Sequence, residues 1–385
     1  MINPASILHP KLYELRDLMR AQGWDLRLVG GCVRDLMLGL TPKDVDLHTD
    51  ATPDQQIQLY TQNQIRFEPT GLQHGTLSVI IDHVAYEITS LRVDTQTDGR
   101  HATVEYTQDW LRDLERRDFT FNAMSMSFEG DCLDPFGGTA DLAQGMVRFV
   151  GDAQTRIRED YLRILRWFRF RGRFEKAEVD AHARRAVIQN GRGLSSISRE
   201  RVWSEVSKIV AGDRGPQLML EIHSCALGTH LNLPPNPDWK VKAEKVHGIT
   251  RNPVTIMVAM YGGWAHHILR AWKASNAEVD LARYLFHNMR ANPFRQMAVH
   301  GVSREWALEL SAFNLSDAFD HAVLAEWSVP VFPVSGYDLI RAGVRPGPQY
   351  GTLLSQMAEL WADSDYTLTC SQLLSSQGLN QQPLG

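Results

Sequence analysis

The sequence Leu28-Val-Gly-Gly-Cys-Val-Arg-Asp35, followed by Asp44-Val-Asp46, decides the fold of this chain. Gly30 and Gly31 lie between a short apolar strand and a helical turn, where backbone N–H groups and the helix N-terminus can approach a phosphate. Arg34 follows within that turn and can face the same anion. A Gly-Gly pair by itself more often marks a structural turn, so the prediction of a phosphate site depends on the two aspartates that follow.

Asp44 and Asp46 are separated by one residue, and alternate residues of a strand project from the same face. Two carboxylates so close together are costly unless a cation joins them. Mg²⁺ prefers carboxylate oxygens and takes its other ligands from water and substrate phosphates. An isolated pair of this kind is usually a solvated strand end, but beside a phosphate-binding turn it predicts nucleotidyl transfer assisted by two Mg²⁺ ions.

The composition excludes several classes of protein. A chain of 385 residues exceeds what one hydrophobic core usually serves, so two or three domains are expected. The apolar fraction is 43%, and no apolar run approaches the roughly 18 residues that a membrane span needs. The four cysteines form no CxxC pair, which argues against a zinc ribbon or a disulfide scaffold. The N-terminus resembles no signal peptide, and we expect a cytoplasmic protein.

The charge is unevenly distributed along the chain. Residues 1–149 carry 13 Lys/Arg and 22 Asp/Glu, residues 150–215 carry 15 and 9, and residues 216–385 carry 12 and 14. The basic middle segment indicates contact with a polyanion, although a solvated Arg-rich helical face explains the charge equally well.

The periodicity of the sequence predicts an α+β fold. Leu26–Val29 reads as a strand, and residues 77–81 and 84–89 read as a hairpin joined by Asp82-His83. From about Asp152 onward the pattern is helical and is broken by Gly and Pro clusters. We therefore predict a small head with a mixed β-sheet, followed by an all-helical remainder.

These residues resemble the motifs of a known family. Gly30-Gly-x-x-Arg-Asp-x-x-x-Gly39 with Asp44-x-Asp46 resembles the first motif of the class II tRNA nucleotidyltransferases and bacterial poly(A) polymerases, which belong to the polymerase-β-like nucleotidyltransferase superfamily. Further motifs follow in the family's order: Arg116–Met124, Asp134–Gly138 with Asp141-Leu142, Glu159–Arg163, Ser198–Arg201 with Glu205, Ser335–Leu339 and Gly343–Pro348.

The resemblance implies a domain organisation and a set of partners. It implies a catalytic head at 1–149, a neck that recognises the base at 150–215, a helical body at 216–330 and a tRNA-binding tail at 331–385. In this family the body and the tail hold the acceptor stem and T-arm of tRNA. The aromatic and Met residues of the body are, by their helical spacing, expected in the core rather than as base-stacking platforms.

The resemblance also implies roles for individual residues. Asp44 and Asp46 would be the catalytic metal ligands, with Glu87 as a candidate third carboxylate. Asp160 and Arg163, at positions i and i+3, would read the base edge, although an ordinary surface ion pair has the same spacing. Asp118 is expected to anchor the arginine loop, with Glu159 and Arg201 in support. The expected nucleotide-binding residues are Gly30, Gly31, Arg34, Arg117, Asp160, Arg163, Arg166 and Arg169.

One polar stretch bears on which member of the family this is. Residues 92–100, with Asp98, Gly99 and Arg100 at their end, resemble the flexible loop with which CCA-adding enzymes switch from C to A addition. The sequence therefore predicts Mg²⁺-dependent, template-independent addition of C, C and A to tRNA 3′ ends from CTP and ATP, with release of pyrophosphate. An A-adding enzyme or a poly(A) polymerase on the same scaffold is the alternative. A catalytically inactive RNA-binding protein is disfavoured because both aspartates are intact.

Overall fold

The computed structural model describes residues 4–97, 102–174, 179–235, 240–314 and 318–379. Contacts between Cα atoms divide the chain into two compact units. The first comprises Met1–Arg214 and Glu221–Leu233, and the second comprises Gly215–Leu220 and Pro234–Gly385. The finer division into head, neck, body and tail stays a prediction.

The first unit opens with the α/β part of the chain. Its elements are α1 (Pro10–Arg20), β1 (Leu26–Val29), α2 (Gly31–Met37), β2 (Leu47–Thr49), α3 (Pro53–Gln62), β3 (Phe67–Gly71), β4 (Thr76–Ile81), β5 (Val84–Ser90), β6 (Arg92–Thr97), β7 (Ala102–Tyr106), α4 (Trp110–Glu115), β8 (Ser125–Met126), β9 (Cys132–Leu133) and α5 (Gly138–Gln144).

The main sheet is mixed, as predicted. Among the described residues its strand order is β3-β4-β5-β2-β1-β8-β9, with β2 and β5 parallel and the other neighbours antiparallel. Leu26 and Leu28 of β1 are fully buried. The parallel register pairs Leu47 with Ile88, so Asp46, which directly precedes β2, stands beside Glu87 within β5.

Several local predictions can be compared with the structure. The strand Leu26–Val29 and the hairpin of β4 and β5 are confirmed. Asp82 and His83 both have positive φ, 47° and 69°, as the turn of a tight two-residue hairpin requires. The prediction that residues 92–100 form a flexible loop is wrong for residues 92–97. These residues form strand β6, which pairs with β7. Asp98, Gly99 and Arg100 lie outside the described residues.

The remainder of the chain is helical, as predicted, in the ranges that the structure describes. Its helices are α6 (Ala153–Glu159), α7 (Leu162–Arg173), α8 (Ala181–Gln189), α9 (Arg199–Ala211), α10 (Gly215–Ser224), α11 (Lys240–Ile249), α12 (Pro253–Tyr261), α13 (Ala265–Ala271), α14 (Asn276–His287), α15 (Pro293–Ala298), α16 (Arg304–Phe313), α17 (Ala318–Glu326), α18 (Gly336–Arg341), α19 (Gln349–Asp363) and α20 (Cys370–Ser376). Among the described residues, none of these helices combines the length and the apolar character that crossing a membrane requires.

Each unit has its own core. In the first, α7 packs on α9, and Trp167 is buried with its indole N–H donating to the Val147 carbonyl at 3.1 Å. In the second, Met257 and Trp272 are buried, in line with the prediction that its aromatic and Met residues are mainly core. Trp264 is an exception, because 64% of its surface is exposed.

Candidate active site

A cleft of about 1020 Å³ in the first unit collects most of the predicted site residues. Lysine and arginine outnumber aspartate among the described residues that line it, so the cleft favours an anionic ligand. The predicted residues in its wall are Gly31, Arg34, Asp44, Asp46, Arg117, Asp118, Asp160, Arg163, Arg166, Arg169 and Arg201. Gly30, Glu87 and Glu159 are outside this lining. Lining residues that the sequence analysis did not name as nucleotide-binding, catalytic or supporting residues include Arg92, Arg116, Asn122, Arg173 and Lys208.

The Gly-Gly turn adopts a backbone conformation that needs glycine. Gly30 has φ +68° and directly precedes α2, and Gly31 is the first residue of that helix. A Cβ atom on Gly30 would lie 2.6 Å from Nη1 of Arg117. The missing side chain therefore allows the Arg117 guanidinium to lie against the turn.

Replacing Gly30 by Ala is expected to raise the KM for nucleotide substantially, by about tenfold or more. The new methyl group would displace the Arg117 guanidinium, and the backbone of Gly30, with φ 68° and ψ −119°, adds about 1–3 kcal/mol of strain for a residue with a side chain. KM for CTP, together with the thermal midpoint, measures the effect. The control is Gly39→Ala, which also has positive φ (71°) but whose Cβ would meet no atom within 4 Å. Equal KM values for the two variants would contradict the expectation.

The two aspartates lie at the cleft, but neither is part of a strand. Asp44 is in a bend and Asp46 directly precedes β2, although the Asp46 carbonyl already accepts a hydrogen bond from the Val29 N–H at 3.1 Å. The strand assumed for the pair is therefore wrong, because regular pairing begins only at Leu47. Both side chains are nonetheless exposed to the cleft.

The carboxylates of Asp44 and Asp46 suit a divalent cation whose remaining ligands come from the substrate. Although Asp46 is exposed to the cleft, partial desolvation by the surrounding wall raises its pKa above the usual value, Arg117 opposes that effect, and the carboxylates of Glu87 and Asp44 reinforce it. Neither Asp44 nor Asp46 forms an ion pair with another described residue. Within the described ranges no group of three or more His, Cys, Asp or Glu forms a preformed metal cluster. Mg²⁺, which takes one or two carboxylates and substrate phosphates, suits such a site.

Two residues that the sequence analysis did not identify, His48 and Asp113, contact the Arg117 guanidinium. Its Nη2 lies 3.2 Å from His48 Nε2 and 3.5 Å from Asp113 Oδ2. Asp113 is fully buried, and His48 is 6% exposed. Although burial opposes ionisation, His48, Arg117 and Arg116 hold the pKa of Asp113 well below its usual range. The available sequence signal was the spacing of Asp113, three and four residues before the two arginines.

Asp118 anchors a second arginine. Its Oδ1 accepts hydrogen bonds from the Phe119 N–H and from Asn122 Nδ2, both at 2.9 Å. Its Oδ2 accepts a hydrogen bond from Arg166 Nε at 2.6 Å. Asp118 thus bonds within its own segment and to Arg166 of α7, and its role as the anchor of the arginine loop stays a prediction. Asn122 also accepts a bond from Arg34 Nη1 at 2.7 Å, so one short segment orients both cations.

Three arginines surround the ring of Phe170, which itself lies in the cleft wall. The guanidinium carbons of Arg34, Arg166 and Arg169 lie 5.0, 5.9 and 4.6 Å from the ring centroid. Arg169 additionally donates to Glu205 at 3.2 Å. The ring thus separates three positive charges while it stabilises each of them.

The prediction that Asp160 and Arg163 lie on one face of the same helix is wrong. Asp160 lies between α6 and α7, where its Oδ1 accepts a hydrogen bond from the Leu162 N–H at 3.1 Å. Its Oδ2 accepts a bond from Arg201 Nη2 at 2.7 Å. Arg163 instead donates to Glu159 at 2.7 Å and to the Arg116 carbonyl at 3.1 Å. Both side chains still line the cleft, so they can face one bound base.

Comparison with known proteins decides the family. Residues 26–148 match the family model of the poly(A) polymerase head domain. The CCA tRNA nucleotidyltransferase 1, mitochondrial, of Mus musculus is 36% identical over 96% of this chain and 90% of its own length. This chain belongs to the CCA-adding tRNA nucleotidyltransferase family. The CCA-adding enzyme of Lacticaseibacillus paracasei, a bacterial member of the family, is 30% identical over 89% of each chain.

Solved structures agree with this assignment. The Bacillus stearothermophilus CCA-adding enzyme in complex with CTP is 27% identical, with a TM-score of 0.74 over 93% of this chain and 94% of that one. The resemblance inferred from the motifs and the predicted fold class are both confirmed: a mixed-sheet head of this family is followed by a helical remainder.

Proposed function

We propose that this chain adds C, C and A to the 3′ end of tRNA from CTP and ATP, without a nucleic-acid template and with release of pyrophosphate. The observation that carries the proposal is the single cleft in which two unpaired carboxylates, Asp44 and Asp46, face several arginines. The relatives named above support tRNA as the acceptor, and the related structure with CTP supports a nucleotide in the cleft.

The carboxylates serve the reacting end of the cleft. Asp44 and Asp46, with Glu87 of the neighbouring strand as a third candidate, would hold Mg²⁺. When bound, the metal lowers the pKa of the attacking 3′-hydroxyl and stabilises the charge on the leaving pyrophosphate. The Asp46 carboxylate is kept in place because its backbone pairs with β1. These residues orient the tRNA 3′-hydroxyl towards the α-phosphorus.

The arginines serve the nucleotide. Arg117 and Arg34, fixed against the Gly-Gly turn and against Asn122, present guanidinium groups to the triphosphate, and arginine suits phosphate oxygens because it can donate two parallel hydrogen bonds. Asp160 and Arg163 offer an acceptor and donors for the edge of the base. In this structure Arg201 donates to Asp160, so base recognition requires Asp160 to share or exchange that partner.

The test is a gel assay with radiolabelled tRNA that ends at its discriminator base. With Mg²⁺ and both nucleotides, we expect two C residues and one A to be added, and then a stop. CTP alone should give two additions, and EDTA should abolish incorporation. Addition of A alone, or an A tail without limit, would instead assign the chain as an A-adding enzyme or a poly(A) polymerase.

The compartment is a separate prediction. We propose a cytoplasmic enzyme, although the relatives from mouse and human are named mitochondrial. Fractionation of the source cells, with antibody detection of the chain, distinguishes these locations.

A further inference from the structure

The Arg117 guanidinium lines the cleft, but two of the residues that contact it, His48 and Asp113, do not. His48 and Asp113 both contact its Nη2, and the Asn122 carbonyl accepts a hydrogen bond from its Nη1 at 3.5 Å. The side chain of Arg117 is only 18% exposed. Neither His48 nor Asp113 lines the cleft, so neither is in a position to touch substrate.

Asp113 divides its two oxygens between different partners. Oδ1 accepts hydrogen bonds from Nε and Nη2 of Arg116 at 3.0 and 2.8 Å, and from the Arg92 N–H at 3.3 Å. Oδ2 faces His48 Nδ1 at 3.0 Å and Arg117 Nη2 at 3.5 Å. A buried carboxylate is tolerated only when it is paired in this way. Its surroundings therefore fix where the Arg117 guanidinium can lie.

His48 completes the arrangement because of its hydrogen-bonding capacity. A guanidinium only donates hydrogen bonds, so Nε2 of His48 must be the acceptor, and the proton of the neutral ring lies on Nδ1, which faces Asp113. His48 belongs to β2 and lies two residues after Asp46, which directly precedes that strand. The imidazole thus links the position of Arg117 to the strand that follows the catalytic aspartates.

We propose that His48 and Asp113 are positioning residues, which hold Arg117 in the orientation that binds the triphosphate of the incoming nucleotide. This inference rests on the proposed function, because it assumes that the cleft binds CTP and ATP. It assigns a role to two buried residues that the reaction itself does not use. Since both nucleotides carry the same triphosphate, the effect of losing either residue should be equal for CTP and ATP.

The test begins with His48→Leu, which keeps the approximate size of the side chain and removes the acceptor. We expect KM for CTP and for ATP to rise by about tenfold each, the range expected for losing a hydrogen bond to a charged group. The kcat, the KM for tRNA and the choice between C and A should change by less than about threefold. His48→Gln, whose amide oxygen can replace Nε2 as acceptor, should restore most of the nucleotide affinity.

A double-mutant cycle tests whether His48 acts through Arg117. In an Arg117→Gln background, His48→Leu should add little to the loss, because the partner that it positions is already absent. The matched control is His247→Leu, which removes another buried histidine that pairs with an arginine, Arg251, in the second unit. That control should leave the KM for both nucleotides unchanged.

Each result supports or overturns the inference. Unchanged KM values in His48→Leu, or additive losses in the cycle, would overturn it. A loss of kcat and of thermal stability that His48→Gln does not rescue would assign His48 a purely structural role and would also overturn it. Failure of the unmodified enzyme to incorporate C or A would instead reject the proposed function, which separates the two failures.

Discussion

Replacing Asp44 by Ala is expected to abolish nucleotide incorporation, with a loss of at least about 1000-fold in kcat. The reason is that Asp44 and Asp46 are unpaired carboxylates at the cleft, and no cation of the described part of the chain takes the place of a metal between them. Affinity for tRNA should stay within about twofold, because the role proposed for the two carboxylates is to hold metal rather than RNA. Single-turnover incorporation and filter binding measure the two quantities.

Asp54→Ala is the matched control for this experiment. Asp54 is an exposed aspartate in the first turn of α3, in the same unit but outside the cleft. It should retain full activity. A large loss of tRNA affinity in Asp44→Ala, or substantial residual incorporation, would reject the assignment of Asp44 as a metal ligand.

Replacing Asp160 by Ala is expected to blur the choice between correct and incorrect nucleotides by at least about tenfold. In the proposed function Asp160 is the acceptor for the edge of the base, and its removal also breaks the 2.7 Å bond from Arg201. A site that loses a placed hydrogen-bonding group discriminates poorly between base edges, because the wrong base no longer leaves a buried group unpaired. The ratio of kcat/KM for CTP to that for UTP, on tRNA lacking CCA, reports this selectivity.

Two further variants make this result specific. Asp160→Asn keeps one acceptor oxygen and should retain part of the selectivity. Asp152→Asn changes an exposed aspartate that caps α6 and lies outside the cleft, and Asn serves well as an N-cap, so selectivity should be unaffected. If the CTP/UTP ratio of Asp160→Ala equals that of the unmodified enzyme, Asp160 does not read the base.

Some elements of the fold were predictable because neighbouring residues in the sequence determine them. The turn at Asp82-His83 requires positive φ at both positions, and the apolar run of β1 ends at a glycine pair. The pair Asp160 and Arg163 could not be placed by spacing, because that argument assumes one continuous helix. The chain instead breaks at Asp160, whose side chain bonds to the N–H of Leu162 at the start of the next helix.

The partners of the site residues depend on contacts that periodicity does not contain. Arg201 reaches Asp160 across 41 residues, and Arg166 reaches Asp118 across 48. The motif resemblance predicted that these residues share one site, but it did not specify which residue forms a hydrogen bond with which. His48 carried no local signal at all, since a histidine in a buried strand reads as an ordinary core residue.

The three guanidinium groups around Phe170 have a consequence for the evolution of this fold. Like charges held close together in a partly buried wall repel one another. That repulsion is offset because Arg34, Arg166 and Arg169 are paired with the carboxylates of Asp35, Asp118 and Glu205, respectively. A neutral replacement at one of these arginines would leave its carboxylate partner without its nearest cation, and two of those partners, Asp118 and Glu205, are buried. Such a change costs stability in the folded protein as well as affinity for an anionic ligand. Substitutions that make the enzyme more heat-resistant should therefore occur outside this wall.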